Sequence, residues 1–224
     1  VFAVLKILLE SRSLSKQELY PILEKLIDCC IPRENKKMVT DLIGNEKLHY
    51  VEPKHKMVLL DRMWDLAHAV KEQLIIDVTY KANYGANLVV RRLKPVGIMF
   101  SEFYFYLTAF IVKEGEEQDN LCPTIYRIDR IVDLTISNEH FRVPYAERFE
   151  EGEFRKRIQF MQGGKLEKIK FYFNGPSIEA ILDRLPTAKI LQHDDKGYLV
   201  QAEAFGKGAE MWLRTQGDWV EMVE

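Results

Sequence analysis

The sequence predicts an α+β chain: a helical segment, then a small antiparallel β-barrel, then a ferredoxin-like β-α-β-β-α-β domain. Three observations carry this. Apolar residues keep a helical period through residues 1–60, the period changes to two at Ile75, and strand-like and helix-like runs alternate in that split order over residues 166–224. The implied divisions are 1–60, a helical connector or dimerisation segment; 61–137, the barrel; 138–165, a linker; and 166–224, the C-terminal domain.

In the first segment Val4, Leu5, Leu8 and Leu9 share one helix face. Ser15 and Glu18 form a capping box that opens a second helix with apolar face Leu19, Ile22, Leu23, Leu26 and Ile27, and Pro21 falls in its second turn. A third helix is expected to start near Pro32 and to stop at Gly44, because proline suits a first turn and glycine a helix end. Asp61 is the expected cap of a fourth, "RMWDLAHAVKEQ". Val1 is not methionine and "VFAVLKILLE" reads as helix interior, so further residues are expected upstream.

From Ile75 the strands are "IIDVTY", "LVVRRLKPVGIMF", "EFYFYLTAF" and "TIYRIDRIVDLTIS", with a turn at "NYGAN" and a polar loop at "KEGEEQDN". Short strands joined by hairpin-like turns after one helix suggest a small barrel. The bridge after residue 137 is rich in both charge signs and is expected to build no core. Beyond it come strand "KIKFYF", helix "PSIEAILDRL", strands "AKILQHD" and "GYLVQAEAF" around a "DDKG" turn, helix "GAEMWLRTQ" and strand "WVEMV".

Composition excludes several classes. With 47% apolar and 29% charged residues the chain is an ordinary globular sequence. It has no uncharged apolar run of membrane-spanning length and no secretory leader, so a cytoplasmic protein without a membrane partner is expected. The net charge of −2 advertises no polyanion partner for the whole chain. Its distribution is uneven, however: Arg91, Arg92 and Lys94 form one cluster and Arg127 with Arg130 another, while Glu114, Glu116, Glu117 and Asp119 share one loop.

Catalytic and metal motifs are nearly absent, so the expectation is no enzyme and no cofactor. Ser13 to Lys16 matches S-x-x-K without its companion motifs and explains itself as a helix cap. "GKGAEM" from Gly206 reads as a turn entering a helix. His193, Asp194 and Asp195 belong to a tight hairpin. Cys29 and Cys30 would need His49 or His55 to hold zinc and lack C-x-x-C spacing; partly buried thiols at a helix end are the simpler reading.

The informative residues are aromatics and arginines in strands, where alternation assigns faces. Tyr104 and Tyr106 share one face, and Phe103, Phe105 and Leu107 the other. Arg127 and Asp129 point one way; Tyr126, Ile128 and Arg130 point the other. Phenylalanine and leucine suit a core, whereas tyrosine beside arginine can hold base and phosphate, stacking one and gripping the other bidentately. The plainer alternative is tyrosine on a wet sheet face and an arginine paired with Asp129.

The run "IIDVTYKANYGANLVVRRLKPVGIMFSEFYFYLTAF", followed by "TIYRIDRIVDL", resembles the WYL domain of bacterial transcriptional regulators. The name-giving triplet is Phe105-Tyr106-Leu107, phenylalanine replacing tryptophan, and the FR-x-DRI element reads Tyr126-Arg127-Ile128-Asp129-Arg130-Ile131. The C-terminal residues resemble the extension domain that commonly follows WYL, and residues 1–60 the connector after a winged helix-turn-helix, which would lie upstream.

That resemblance implies an Sm-like, SH3-type barrel and an effector-sensing role, binding an anionic ligand such as a nucleotide or single-stranded nucleic acid. By position it implies Tyr80, Arg91 or Arg92, Ser101, Tyr104, Tyr106, Arg127, Asp129 and Arg130 as ligand-binding residues. Operator DNA would be read by the upstream domain of a homodimer. Arg33, Lys36 and Lys37 raise the alternative that residues 1–60 read DNA, but their helix is too mixed in charge, which favours a connector. The competing function is a protein-interaction or oligomerisation module without a small ligand.

Overall fold

The computed structural model describes residues 1–82, 87–112, 122–143 and 149–223. The predicted "NYGAN" turn (but for Asn87), the "KEGEEQDN" loop with its four acids, and residues 144–148 of the bridge lie outside the described residues. The chain divides into two compact units: Val1–Leu107 with Tyr126–His140, and Thr108–Ile125 with Phe141–Glu224.

The first unit opens with α1 (Phe2–Ser11), α2 (Lys16–Cys30) and α3 (Arg33–Leu48). Leu5, Leu9, Leu19, Leu23, Val39 and Ile43 form their core, with Leu14, Tyr50 and part of Phe105 packed on it. Each fully buried leucine here contributes roughly 1.5–3 kcal/mol. The capping box is present: the Glu18 amide donates to Ser15 Oγ at 3.3 Å and the Ser15 amide to Glu18 Oε2 at 3.3 Å.

Three sequence expectations fail here. α3 runs through Gly44 to Leu48, because glycine is a strong stop only when the following chain leaves the helix, and Ile43 keeps this turn anchored in the core. A Cβ at Gly44 would meet nothing within 4 Å and the site is exposed. Gly44→Ala is therefore expected to raise stability by about 0.5–1 kcal/mol, read as a higher midpoint in urea unfolding; an unchanged or lower midpoint would contradict this. In α4 (Leu60–Lys71), Asp61 is not the cap but sits in the first turn. Cys29 and Cys30 end α2 as predicted but are exposed.

The sheet of this region has order β4-β3-β2-β1-β5, from β1 (Leu74–Lys81), β2 (Leu88–Ser101), β3 (Tyr104–Ile111), β4 (Thr124–Arg127) and β5 (Ile131–His140). β1 pairs antiparallel with β2 and with β5, and α4 packs on β1 and β2. Ile76, Val78 and Leu93 are fully buried in this sheet, Ile76 directly opposite Leu93. Among the described residues no pairing of β4 with β5 closes the sheet into a barrel.

The second unit contains α5 (Glu151–Arg157), β6 (Leu166–Phe173), α6 (Ile178–Arg184), β7 (Lys189–Asp194), β8 (Gly197–Phe205), α7 (Gly208–Arg214) and β9 (Val220–Val223). Strand order is β7-β8-β6-β9 with neighbouring strands antiparallel, the connectivity of a split β-α-β arrangement. Phe171, Phe173, Ile181, Val200 and Leu213 make its core. The bridge is less empty than its charge suggests: Phe154, Ile158 and Met161 are buried, and the Phe154 ring meets Phe205 at 5.1 Å. Phe154 is the buried residue of α5, Ile158 follows it in extended conformation and bridges to Phe205, and Met161 lies in the turn beyond; three apolar residues among many charges are hidden when total composition is weighed. The glycines of "GKGAEM" serve backbone geometry, as read: Gly206 has φ +59°, and a Cβ on Gly208 would lie 2.0 Å from the Gln159 carbonyl oxygen.

Candidate functional site

Arg127 closes β4, and the chain then tightens into a 3-10 turn, Ile128–Arg130. That turn breaks strict alternation, so Ile128 and Asp129 are both buried. It also folds the Asp129 carboxylate back onto Arg127. Nε donates to Oδ1 at 3.0 Å and Nη2 to Oδ2 at 2.7 Å, a side-on bidentate pair. The guanidinium carbon lies 3.4 Å from the centroid of the Tyr104 ring. Asp129 thus fixes one edge of the fork and Tyr104 one face. A guanidinium has five N–H donors, so three point away from Asp129.

Around this clamp stand other hydroxyls and charges. Tyr106 packs edge-on to Tyr104 with centroids 6.5 Å apart. Burial pushes its hydroxyl pKa up, while nearby Arg127 and Arg130 pull it down. For Arg127 burial alone would lower the pKa, but the hydrogen bond and charge of Asp129 outweigh it and the net shift is upward. The Arg127 amide donates to the Tyr80 hydroxyl at 3.3 Å, and Tyr80 meets Tyr126 edge-on at 5.1 Å.

The structure therefore brings together Tyr80, Tyr104, Tyr106, Arg127 and Asp129, with Arg130 close enough to act on Tyr106. Register separates the alternatives Arg91 and Arg92. Arg91 lies opposite Val78, on the face of Tyr80, and donates to the Val90 carbonyl; Arg92 lies opposite Asp77 on the other face and binds Glu139 at 2.5 Å. Ser101 is buried at the end of β2.

Phe103 departs from the face reading. It precedes β3, after Glu102 at φ 57°, is 43% exposed and lies beneath the Arg12 guanidinium at 5.3 Å. Phe105 does pack inward, against the helical core and Phe100, and Leu107 is fully buried. A separate open cleft of about 870 Å³, lined by Lys6, Arg12, His49, Phe100 and Phe103 among others, includes none of the clamp residues.

Sequence reasoning weighed His55 only as a zinc ligand beside Cys29 and Cys30 and did not place it near the arginines. It sits in the turn before α4, with its ring centroid 6.4 Å from that of Tyr104. Burial lowers its pKa, with Asp129 raising and Arg127 lowering it in turn. No spacing motif marks it, because Tyr104, Arg127 and Asp129 all lie far on in sequence, well beyond the reach of a local pattern. Among the described residues no group of three or more His, Cys, Asp or Glu side chains is arranged to hold a metal, and no helix is long and apolar enough to cross a membrane.

These elements, a helix feeding an antiparallel sheet with an arginine clamp at β4, fall in a segment that known families describe. Residues 62–136 match the WYL domain, so the chain carries a WYL domain there. No curated protein matches the chain. Among solved structures, the proteasome accessory factor B/C (PafBC) of Arthrobacter aurescens aligns at 13% identity and TM-score 0.35, over 72% of this chain and 24% of that one. A CRISPR Cas-related protein aligns at 18% identity and TM-score 0.48, over 93% of this chain and 59% of that one. The chain spans less than two thirds of the length of either.

Proposed function

We propose that the chain is the effector-sensing part of a bacterial transcriptional regulator and that its WYL domain binds an anionic ligand, a nucleotide or single-stranded nucleic acid. The observation that carries this is the Arg127 guanidinium, held side-on by Asp129 and face-on by Tyr104, with its remaining N–H edge left to an acceptor. Preorganisation of this kind lowers the ordering cost of binding. Phosphate oxygens suit the fork, and Tyr106 and Tyr80 offer hydroxyls beside it. Arg130 and Arg91 add positive charge, which matters because Asp129 neutralises Arg127.

The rest of the reading follows from the resemblance. In this reading the open five-stranded sheet stands for the Sm-like unit, residues 166–224 are a ferredoxin-like extension, residues 138–165 link the two, and residues 1–60 connect to an upstream DNA-reading domain. The protein is a cytoplasmic, non-enzymatic homodimer acting on operator DNA. Ligand binding transmits only if it favours one arrangement of the domains over another.

The test is a titration of labelled oligothymidylate and of mononucleotides, across salt concentrations, with wild type and Arg127→Met/Asp129→Leu. Saturable wild-type binding weakened at least tenfold in the double variant is expected. No wild-type binding, or equal binding by both, overturns the site. A second reading, an oligomerisation module, is favoured by apolar side chains exposed on α1 and α3, Ile7 and Leu42 among them. It predicts subunit multiples by native mass spectrometry together with no binding in the same titration.

A further inference from the structure

We infer that His55 is a direct ligand contact of the Arg127 site, donating its Nε2–H to an oxygen of the bound anion. This rests on the anion-site reading above and adds a donor from outside the matched WYL segment.

Geometry settles the tautomer. The Met57 amide donates to His55 Nδ1 at 3.0 Å, so Nδ1 carries a lone pair and the neutral ring carries its proton on Nε2. Lys56, at φ 53°, turns the chain so that this short loop can close on the ring. The Nε2 atom is buried, and among the described residues it meets no hydrogen-bond partner. A buried donor left unmatched is costly, and the great majority of such groups are satisfied by something. Its neighbourhood shows what would satisfy it. The ring stands beside Tyr104, whose face carries the Arg127 guanidinium at 3.4 Å. The clamp presents N–H groups, so the missing partner is an acceptor shared with them, and an anionic oxygen answers both.

The charges that act on His55 are Asp129 and Arg127 from the end of β4 and its turn, and Glu18 from α2, with the Tyr104 hydroxyl on β3. Burial holds the imidazole neutral to lower pH than usual. Because Nδ1 already accepts the Met57 amide, the ring meets the anion as a neutral Nε2–H donor, and no proton is taken up at His55 on binding at neutral pH. Oligothymidylate suits the measurement because its phosphodiesters and bases do not titrate near neutral pH.

Labelled oligothymidylate is titrated into wild type, His55→Phe and Arg127→Met/Asp129→Leu at neutral pH. His55→Phe removes both the unmatched Nε2 donor and the Nδ1 acceptor of the Met57 amide, effects of opposite sign, so it is expected to unfold near the wild-type temperature, yet to bind roughly tenfold more weakly. Wild-type-like binding by His55→Phe, while the double variant has lost it, overturns the role of His55 and leaves the anion site standing. Absence of wild-type binding overturns both. Should His55→Phe misfold, the wild-type ring decides by nitrogen chemical shifts at neutral pH: a proton on Nδ1, or no change in the His55 Nε2 shift at saturating oligothymidylate, overturns the inference.

Discussion

Glu18→Ala is expected to lower stability by about 3–5 kcal/mol, measured as a fall in the urea midpoint at constant m-value. Glu18 is only 6% exposed, and its carboxylate accepts four hydrogen bonds. Oε2 takes the Ser15 amide and the Ser15 hydroxyl, at 3.3 and 2.8 Å. Oε1 takes the amides of Leu59 and Leu60, at 2.6 and 2.9 Å. The second pair are unmatched donors at the start of α4, whose own cap residue, Leu59, has no side-chain oxygen. One carboxylate therefore caps two helices and sits where both helix dipoles favour negative charge. Alanine leaves four donors short of an acceptor, each costing about 1–3 kcal/mol in burial, with the loop before α4 free to relax part of it. Glu18→Gln keeps the shape but turns one oxygen into a donor facing donors, so it should recover less than half of the loss. A Glu18→Ala midpoint within error of wild type would refute the double-cap account.

Glu18 also illustrates what could and could not be read in advance. Its role in α2 is a pattern of three-residue spacing and was legible; its role in α4 spans forty-one residues and had no local signature. The same division runs through the molecule. The change of hydrophobic period at Ile75, the DDKG turn and the order of elements after Leu166 are local signals, and all appear in the structure. Gly44 misled because glycine's preference for helix ends is weak beside the burial of Ile43. The bridge misled because Phe154 and Ile158 are few among many charges. At the candidate site, alternation placed Tyr104 beside Tyr106, whereas Arg127 meets Asp129 because the 3-10 turn folds the carboxylate back, not because strand alternation continues. Only tertiary register could choose a face for Arg91 or Arg92, and only the fold could carry His55 to Tyr104.

Arg127→Ala is expected to be the most damaging single change at the site, and for two reasons that need separating. The Asp129 side chain is 5% exposed and the Arg127 side chain 20%, so removing the guanidinium leaves a buried carboxylate without its partner. Breaking a buried pair this way typically costs 3–5 kcal/mol; with the arginine partly wet, about 2–4 kcal/mol is the reasonable expectation here. Loss of ligand binding by Arg127→Ala alone could then reflect a loosened sheet. Replacing both partners with apolar residues of similar size removes the uncompensated charge, and such exchanges are often neutral. Arg127→Met/Asp129→Leu should therefore unfold within about 1 kcal/mol of wild type, while oligothymidylate binding stays lost. Arg127→Lys tests the geometry from the other side. It keeps the positive charge but has neither a planar face for Tyr104 nor a fork for Asp129, so it should restore part of the stability and little of the affinity. If lysine bound as well as arginine, the site would be reading charge alone, and the clamp built by Asp129 and Tyr104 would serve only to hold the 3-10 turn against β4.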